Sequence, residues 1–369
     1  MIQKIINTFV WVPDYLKKYL ERRTIYTAES DRPINIFFCI CDHFEPYWNH
    51  ADARTARIRI NRWLDSYPVI SERYLDSSGK RLKYSFFYPE EEYTHEDLNV
   101  LAGFCHAGYG EVEIHLHHDN DTSENLKKTL LDYKSRLYED HGLLSIDKTS
   151  GGISYGFIHG NWALDNSRPD GRLCGVNDEL DILQQTGCYA DFTMPSAPDV
   201  TQIKKVNSIY YTVDDPIRPK SHETGDDLEI GRKGKGLLMV QGPISLNWKN
   251  RSFGILPRVE NGGLMENNPP TASRIHSWID QRIHIKGFPY GIFVKIYTHG
   301  TQEKNMKMLF QDNYLEFLLE YLSSLARNNK KYNIYFTSAR EMTNIIHAIM
   351  DGKTDNFDDY RDYRYHIAK

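Results

Sequence analysis

The sequence predicts an α/β protein built on a parallel sheet or barrel. Strand-like and helix-like segments alternate almost to the end of the 369-residue chain, which is the order expected of βαβ units. The segment 34–41 (INIFFCIC) is continuously apolar, as is typical of a strand buried on both faces. Hydrophobic residues make up 40% of the chain, which is enough for a full core.

The predicted elements follow one another in a regular order. Strands are predicted at 34–41, 82–88, 111–118, 153–159, 189–193, 236–241, 291–297 and 332–336. Helices are predicted at 54–66, 96–105, 124–138, 178–185, 271–282, 306–326 and 340–350. The stretch 200–270 is rich in Gly, Pro, Asn and charged residues, so we interpret most of it as long loops inserted between barrel strands.

The chain divides into three parts on this interpretation. Residues 31–350 form the α/β domain, and the charged residues 351–369 form a solvated tail. Residues 1–30 contain a helix that packs on the domain, because apolar side chains recur at helical spacing. These side chains are Ile5, Phe9, Val12, Leu16 and Tyr19.

The N-terminal segment is a poor membrane span and a poor signal peptide. Its apolar stretch is short, is broken by Asn7 and Pro13, and has no small-residue cleavage site after it. We therefore expect a soluble, cytoplasmic protein. Lysines and arginines beside the apolar positions leave peripheral contact with an anionic membrane surface as an alternative.

Charge and cysteine content exclude several classes of protein. The formal net charge is −5 and no basic stripe is visible, which argues against a nucleic-acid partner. The cysteines number five and form no CxxC pair. This pattern argues against a disulfide framework and against a thiolate zinc site, and it fits a reducing compartment.

Polar side chains end the first apolar strand, where parallel α/β folds place their active sites. In FFCICDHFEPYW, the run closes on Asp42, His43 and Glu45. A carboxylate and an imidazole at such a buried position indicate pairing or metal binding, because each is costly to desolvate alone. The alternative is that Asp42 simply caps the following turn.

The third strand ends in a cluster of histidines, GEVEIHLHHDND. Alternation along a strand places His115 and His117 on one face and the apolar Ile114 and Leu116 on the other. Further nitrogen and oxygen donors follow at once: His118, Asp119 and Asp121. The pattern predicts a site for zinc or a similar divalent metal, although it leaves open which histidines bind. The alternative is a set of ordinary core histidines.

Two later strands also end in polar groups. The strand GIFVKIYTHG ends at His299, which is suited to act as a general acid or to pack under a loop as a turn histidine. The segment FIHGNWALDNS places His159, Trp162 and Asp165 at a fourth strand end. There Trp162 is either a platform for a sugar ring or part of the core.

These motifs, taken in order, resemble the polysaccharide deacetylase family over about residues 34–300. The segment CDHFEP resembles the family's first strand end, with Asp42 at the catalytic base and His43 where a ligand acid would stand. YSFFYPE resembles its second strand. GEVEIHLHH resembles the metal-binding segment, with His117 at its first histidine and Asp121 at its second.

The later motifs continue the resemblance. His299 resembles the late histidine that serves as catalytic acid, and YADFTMPS, with Asp191, resembles a strand that carries an acid. His159 and Trp162 stand near the family's Arg-Pro-Pro-Tyr segment. The departures are Asp-His in place of Asp-Asp and H-L-H-H-D-N-D in place of H-x-x-x-H. They mean either a reshuffled ligand set or a lost site.

The resemblance implies a divergent member with a distorted (β/α) barrel and a site at the strand ends. The implied site consists of catalytic Asp42 and His299, metal ligands His43, His115, His117 and Asp121, and substrate-binding His159, Trp162 and Asp191. The implied cofactor is a divalent metal, zinc above all. The implied reaction removes N- or O-acetyl groups from a carbohydrate or a glycan precursor.

Two other functions remain open on the sequence. A glycoside hydrolase would use paired carboxylates, Asp42 with Asp191 or Glu45, but would leave the histidine cluster unexplained. A catalytically inert sugar-binding protein would keep only the fold.

Overall fold

A largely parallel sheet with helices on both faces forms the centre of the protein. The computed structural model describes residues 9–27, 32–252 and 256–367. The strands are β1 (Ile34–His43), β2 (Tyr84–Pro89), β3 (Gly110–Leu116), β4 (Ser145–Asp147), β5 (Ile153–His159), β6 (Cys188–Asp191), β7 (Ile209–Thr212), β8 (Asp226–Asp227), β9 (Leu237–Val240), β10 (Ser245–Ser252), β11 (Leu256–Glu260), β12 (Gly263–Leu264), β13 (Gly291–Thr298), β14 (Tyr332–Phe336) and β15 (Tyr365–His366).

Helices occupy the segments between these strands. They are α1 (Val12–Thr27), α2 (Ala53–Ser71), α3 (His95–His106), α4 (Ser123–Glu139), α5 (Glu179–Thr186), α6 (Ala272–Asp280), α7 (Glu303–Met306), α8 (Tyr314–Asn328) and α9 (Ala339–Met350). Side chains cap many of their first turns. Asp52 accepts from Thr55 N–H at 2.8 Å to start α2, and Ser338 with Glu341 forms a capping box at the start of α9.

The order of strands in the main sheet is β12-β13-β1-β2-β3-β5-β6-β9-β7-β8. All pairings from β12 to β9 are parallel, and β14 also pairs in parallel with the first half of β1. The predicted α/β class and parallel sheet are therefore confirmed. Within the described residues, no strand ladder joins β9 to β13, so hydrogen bonds do not close a barrel.

Strand β13 and the segment after β6, which lie far apart in the strand order, nevertheless contact each other through a side chain. Lys295 on β13 is buried, and its Nζ donates to the carbonyls of Phe192 and Met194 just after β6, at 2.5 and 2.8 Å. A sheet with β13 and β6 near opposite ends of the parallel series must curve strongly to allow this contact.

The two faces of the sheet pack against different helices. Ile36, Phe38 and Ile40 of β1 share a core with side chains of α2 to α8, which form the outer layer. Phe37, Cys39 and Cys41 face the other way, into a core that includes α9. Of the 12 residues of α9, all but His347 are buried, so this helix lies inside the fold rather than on its surface.

The structure corrects three expectations. The stretch 200–270 contains six short strands, β7 to β12, between its loops, and only β9 among them was predicted, because strands of two to eight residues carry little periodicity. The helix expected at 306–326 is interrupted by a π-helical turn over Lys307–Gln311. It restarts after Asn313, because the φ of 60° at Asn313 is incompatible with a continuous α-helix.

The described part of the C-terminal segment is not a solvated tail. Arg361 is 8% exposed and bonds to Asp76 and Glu341 at 3.0 Å, while β15 pairs with β4. Asp362 and Arg364 also form ion pairs with the domain, whereas residues 351–356 are exposed. The boundaries 31–350 and 351–369 otherwise stay a prediction.

The described part of the N-terminal helix packs on the domain partly through other side chains than those predicted, since Leu16 and Tyr19 are exposed whereas Lys18 and Arg22 are buried. Trp11, just before α1, is fully buried in a small core with Ala197, Val206 and Ile244, and Lys18 Nζ donates to Val206 O at 2.6 Å. Positions 1–8 and 28–30, including Ile5, lie outside the described residues. Among the helices of the described ranges, none is long and apolar enough to cross a bilayer.

A buried ion pair ties α9 to the sheet. Arg340 is 1% exposed and bonds to both oxygens of Glu111 on β3, at 2.7 and 3.1 Å. Burial acts to raise the pKa of Glu111, but the charges of Arg340 and Lys83 lower it to about 2. Since its unfolded pKa is ~4.3, this carboxylate stabilises the fold above that pH and loses its contribution as the pH falls toward 2.

Replacement of Arg340 tests this pair. Arg340→Met should lower the free energy of unfolding by ~3–5 kcal/mol at pH 7, because it leaves Glu111 charged and buried without its main partner. The loss should shrink as the pH falls below ~4.3, where Glu111 becomes protonated in the variant. Urea unfolding at several pH values measures both effects. Arg172→Gln, a surface control, should change stability by less than ~0.5 kcal/mol.

Candidate metal centre

Imidazole and carboxylate groups from three strand ends meet on the face of the sheet opposite the outer helices. His43 ends β1, Glu45 follows it by two residues, and His299 follows the end of β13. His115 lies one residue before the end of β3, and His117 one residue after it. Because Cys39 and Cys41 face inward on β1, alternation turns His43 the same way.

The tautomer of His115 follows from its main-chain partner. Its Nδ1 lies 2.8 Å from the carbonyl oxygen of Ile158 on the neighbouring strand β5. A carbonyl only accepts, so Nδ1 must carry the proton and Nε2 must present its lone pair in the neutral ring. That Nε2 lies 3.2 Å from Oε1 of Glu45.

His117 repeats the arrangement with a different partner. Its Nδ1 is hydrogen-bonded to the carboxylate of Glu91, which follows β2. Its Nε2 lies 3.6 Å from the same Oε1 of Glu45. Two imidazole nitrogens therefore converge on one carboxylate oxygen, and the outward nitrogen of each ring is held by a hydrogen-bond acceptor.

This arrangement fits a divalent metal. Metal-binding histidines commonly donate their second ring N–H to a main-chain carbonyl or a carboxylate, as His115 and His117 do here. Two histidines and one glutamate, with one side left open, form a ligand set used by catalytic zinc. The His117 side chain is 32% exposed, so the cluster is open to solvent on that side. We call this group, Glu45, His115 and His117, the open cluster.

Hydrogen bonds and neighbouring charges oppose the effect of burial on the pKa values of Glu45 and His117. Burial acts to raise the pKa of Glu45, but nearby imidazoles and the hydrogen bond that His115 Nε2 donates when its ring is protonated hold this pKa below its usual value. Burial acts to lower the pKa of His117, but the hydrogen bond and charge of Glu91 raise it above its usual value. Glu45 is therefore ionised at neutral pH and available to bind a cation.

His43 and His299 lie beside this set. Their rings are stacked with centroids 4.5 Å apart, and the ring of His43 also meets that of His115 at 4.9 Å. One nitrogen of each lies within 4.8 Å of a Glu45 oxygen. Burial lowers the pKa of both below the usual value. His299 Nδ1 is buried and has no hydrogen-bond partner among the described residues.

Trp162 forms an aromatic wall next to the histidines. Its ring centroid lies 6.3 Å from that of His43 and 6.2 Å from that of His299. Tyr297 completes the wall at 6.3 Å from Trp162. The indole Nε1 is buried and finds no acceptor in the described part of the chain.

Asp42, predicted as the catalytic base, does not join this cluster. It lies on the opposite side of β1, is fully buried, and accepts from Gly300 N–H at 2.7 Å and from the Tyr84 hydroxyl at 3.1 Å. Burial raises its pKa to about 7. Strand alternation explains the placement, since neighbours on β1 face opposite ways. Asp42 holds the residue that follows His299.

Asp121, His159 and Asp191 also lie away from the cluster. The chain turns at Asn120, with φ of 50°, so Asp121 reaches His118 on the outer side, with 3.2 Å between Oδ2 and Nδ1. His159 is fully buried on that same side. Asp191 is 1% exposed and both its oxygens accept from Thr193, so it does not line the open cluster.

Sequence reasoning missed two residues of the cluster. Glu45 was noted at the strand end but not assigned as a ligand, and Glu91 was not considered. Glu91 sits in the PEEE segment directly after β2. Inspection of that strand end, as of the others, would have found it.

No model of a known protein family matches this chain, and no curated protein matches it. The resemblance to polysaccharide deacetylases therefore stays a prediction, and the functional argument rests on the geometry of the cluster.

Replacement of Asp42 separates a structural role from a role in metal binding. Asp42→Ala should lower the free energy of unfolding by ~1–3 kcal/mol, because Gly300 N–H and the Tyr84 hydroxyl lose their buried acceptor. Metal content, measured on the same preparation, should be unchanged. Metal loss at normal stability would instead make Asp42 a ligand. Asp312→Ala, an exposed control, should alter neither property.

Proposed function

We propose that this protein is a metal-dependent hydrolase that removes acyl groups from a carbohydrate, with a divalent cation held by Glu45, His115 and His117. One observation carries the proposal. The two Nε2 atoms converge on a single oxygen of Glu45, at 3.2 and 3.6 Å, while each Nδ1 is committed to an outer acceptor. Three electron-pair donors that face one another favour a cation between them. The chemistry of these donors favours zinc.

The neighbouring histidines supply the proton transfer. When bound, a divalent cation polarises an acyl carbonyl and lowers the pKa of water. His299 stands next to Glu45, and its Nδ1 has no hydrogen-bond partner among the described residues. It can therefore take a proton from an attacking water and return it to the leaving amine or hydroxyl. His43, stacked on His299, holds that ring in place. In this scheme Asp42 positions the His299 loop and does not act as the base.

The fold is consistent with this activity. The histidines and Glu45 stand at the carboxyl ends of parallel strands, where open α/β sheets and barrels bind their ligands. The contact from Lys295 to the segment after β6 supports a strongly curved sheet. The finer assignment, a distorted barrel of the polysaccharide deacetylase type, is part of the proposal.

Trp162 supports a carbohydrate as the substrate. A sugar ring offers an apolar face that packs on an indole and hydroxyls that accept hydrogen bonds. Trp162 offers both complements, a ring beside His43 and His299 and an Nε1–H without an acceptor in the described residues.

The glycoside hydrolase alternative has less support. It needs two carboxyl groups that flank one bond in the same cleft. Asp42 is fully buried and Asp191 is 1% exposed, and hydrogen bonds occupy both. Of these three carboxyl groups, only that of Glu45 belongs to the cluster that opens to solvent.

Metal content tests the ligand assignment. The protein reconstituted with zinc should lose the ion bound at the cluster when Glu45→Gln or His117→Ala is introduced, because each removes one of three protein ligands. Elemental analysis after gel filtration measures the loss. His50→Ala, an exposed histidine, is the matched control and should keep full metal content.

Acetate release tests the reaction. The zinc protein should release acetate from acetylated sugar oligomers, and Glu45→Gln should reduce the rate by at least ~100-fold. Equal rates in Glu45→Gln and wild type would rule out the proposed centre. Release of reducing ends without acetate would favour a glycoside hydrolase. Sugar binding without turnover would favour the inert binding protein.

Replacement of Trp162 tests the sugar platform. Trp162→Ala should raise KM about tenfold with a smaller change in kcat, because stacking holds the substrate before and during the reaction alike. Trp162→Phe should recover most of the affinity. A fall in kcat with unchanged KM would instead mean that Trp162 acts on the reacting groups.

A further inference from the structure

A second group of potential metal ligands lies on the opposite side of the β3 strand end. It consists of His118, His159, Cys174 and Glu179, and one donor atom from each lies within 4.8 Å of all the others. Three of the four residues are fully buried, and the His118 side chain is 7% exposed. We call this group the closed cluster, since it has no open side comparable to that beside His117.

The spacing of the closed cluster matches a zinc shell. Glu179 Oε1 lies 3.3 Å from His118 Nε2 and 3.6 Å from His159 Nε2, and Glu179 Oε2 lies 3.4 Å from Cys174 Sγ. In tetrahedral zinc sites with bonds of ~2.0–2.3 Å, neighbouring donor atoms are ~3.3–3.8 Å apart. The three distances from the Glu179 carboxylate therefore already match those around a bound ion, and one donor atom from each of the four residues lies within 4.8 Å of the others.

His159 provides independent evidence for a cation site. Its Nδ1 lies 2.6 Å from the carbonyl oxygen of Gly160, so Nδ1 carries the proton and Nε2 presents a lone pair. That Nε2 is buried, faces the Glu179 carboxylate, and has no hydrogen-bond partner in the described ranges. Leaving such an acceptor unsatisfied is unfavourable, and a cation shared with Glu179 removes this cost.

His118 lies between two carboxylates. Its Nε2 faces Glu179, and its Nδ1 lies 3.2 Å from Asp121 Oδ2, which is an ion-pair distance without the geometry of a hydrogen bond. The two negative charges favour a cation at this position. Asp121 is itself held by Asn125 and Thr122, at 2.7 Å each.

We propose that the closed cluster binds a zinc ion through His118, His159, Cys174 and Glu179 as a structural site. Four protein ligands and deep burial leave no position for a substrate, in contrast to the cluster around Glu45. One thiolate, two imidazoles and a carboxylate suit zinc better than magnesium or calcium. Cys174 and His118 Nε2, which both donate to Glu179, give these protons to solvent when the ion binds.

The position of the site indicates what the ion stabilises. His118 and His159 follow or end strands β3 and β5, whereas Cys174 lies in the long connection before α5 and Glu179 begins that helix. The ion thus fastens the connection to the sheet. Trp162 stands at the start of this connection, so the closed cluster supports the wall of the open one without taking part in its chemistry.

Cobalt substitution of the full-length protein tests the proposal. The metal-free protein titrated with Co²⁺ should show a thiolate-to-cobalt charge-transfer band and the visible bands of tetrahedral cobalt. Cys174→Ala should lose the charge-transfer band, whereas Cys105→Ala, a cysteine outside the closed cluster, should keep it. Glu45→Gln should also keep the band, so failure of the proposed hydrolase site and failure of this site are distinguishable.

The wild-type titration decides the matter even if a variant fails to fold. Absence of the charge-transfer band, or its persistence in Cys174→Ala, would overturn the proposal. Zinc X-ray absorption on the protein as purified gives a second decision without metal removal. A sulfur neighbour at ~2.3 Å supports the site, and a shell of nitrogen and oxygen alone rejects it.

Discussion

The hydrogen bond from Gly300 N–H to Asp42 Oδ1 fixes the position of His299 beside the open cluster. Strands β1 and β13 pair in parallel along their whole length, up to Asp42 opposite Thr298. Beyond that point the main-chain hydrogen bonds between the two strands stop, and hydrogen bonds from side chains connect the two segments. Asp42 binds Gly300, and the Thr301 hydroxyl donates to the carbonyl of Glu45 at 2.8 Å. These two bonds hold His43 and His299 in register and set the position of Glu45.

The hydrogen-bond acceptors of the Nδ1 atoms show which histidines can bind a metal better than the number of histidines does. His115, His117 and His159 each donate Nδ1 to an acceptor and turn Nε2 toward a glutamate. In a dry interior this commits the ring to one tautomer and leaves an electron pair that must be matched. The two clusters differ in access, because His117 is part-exposed whereas His159 is fully buried. The same chemistry can therefore serve a reaction in one place and stability in the other.

The sequence predicted the strands that carry the clusters because they are long and apolar. It also predicted the shared face of His115 and His117, since alternation is a property of the strand alone. It could not predict that Ile158 or Glu91 would accept from those rings, because such contacts depend on the register between strands. Asp121 was misplaced because the turn at Asn120 is a local backbone choice that spacing does not reveal.

Cys174 shows a different limit. Absence of a CxxC pair argued against a thiolate site, but that motif describes sites in which one short loop supplies two ligands. Here a single cysteine in the connection before α5 meets ligands from β3, β5 and a helix start. Only the tertiary structure brings them together. The same holds for Arg361, whose charge suggested a solvated tail although it is paired with Asp76 inside the fold.

His117 and His118 are neighbours in the chain and yet belong to different clusters on opposite sides of the same strand end. A deletion or insertion of one residue within Gly110–Leu116 would exchange their sides and disrupt both clusters together. Only an insertion or deletion of two residues keeps each ring on its own side of the strand. In an evolving lineage, this strand should therefore tolerate substitutions at its apolar positions far more readily than any change in its length.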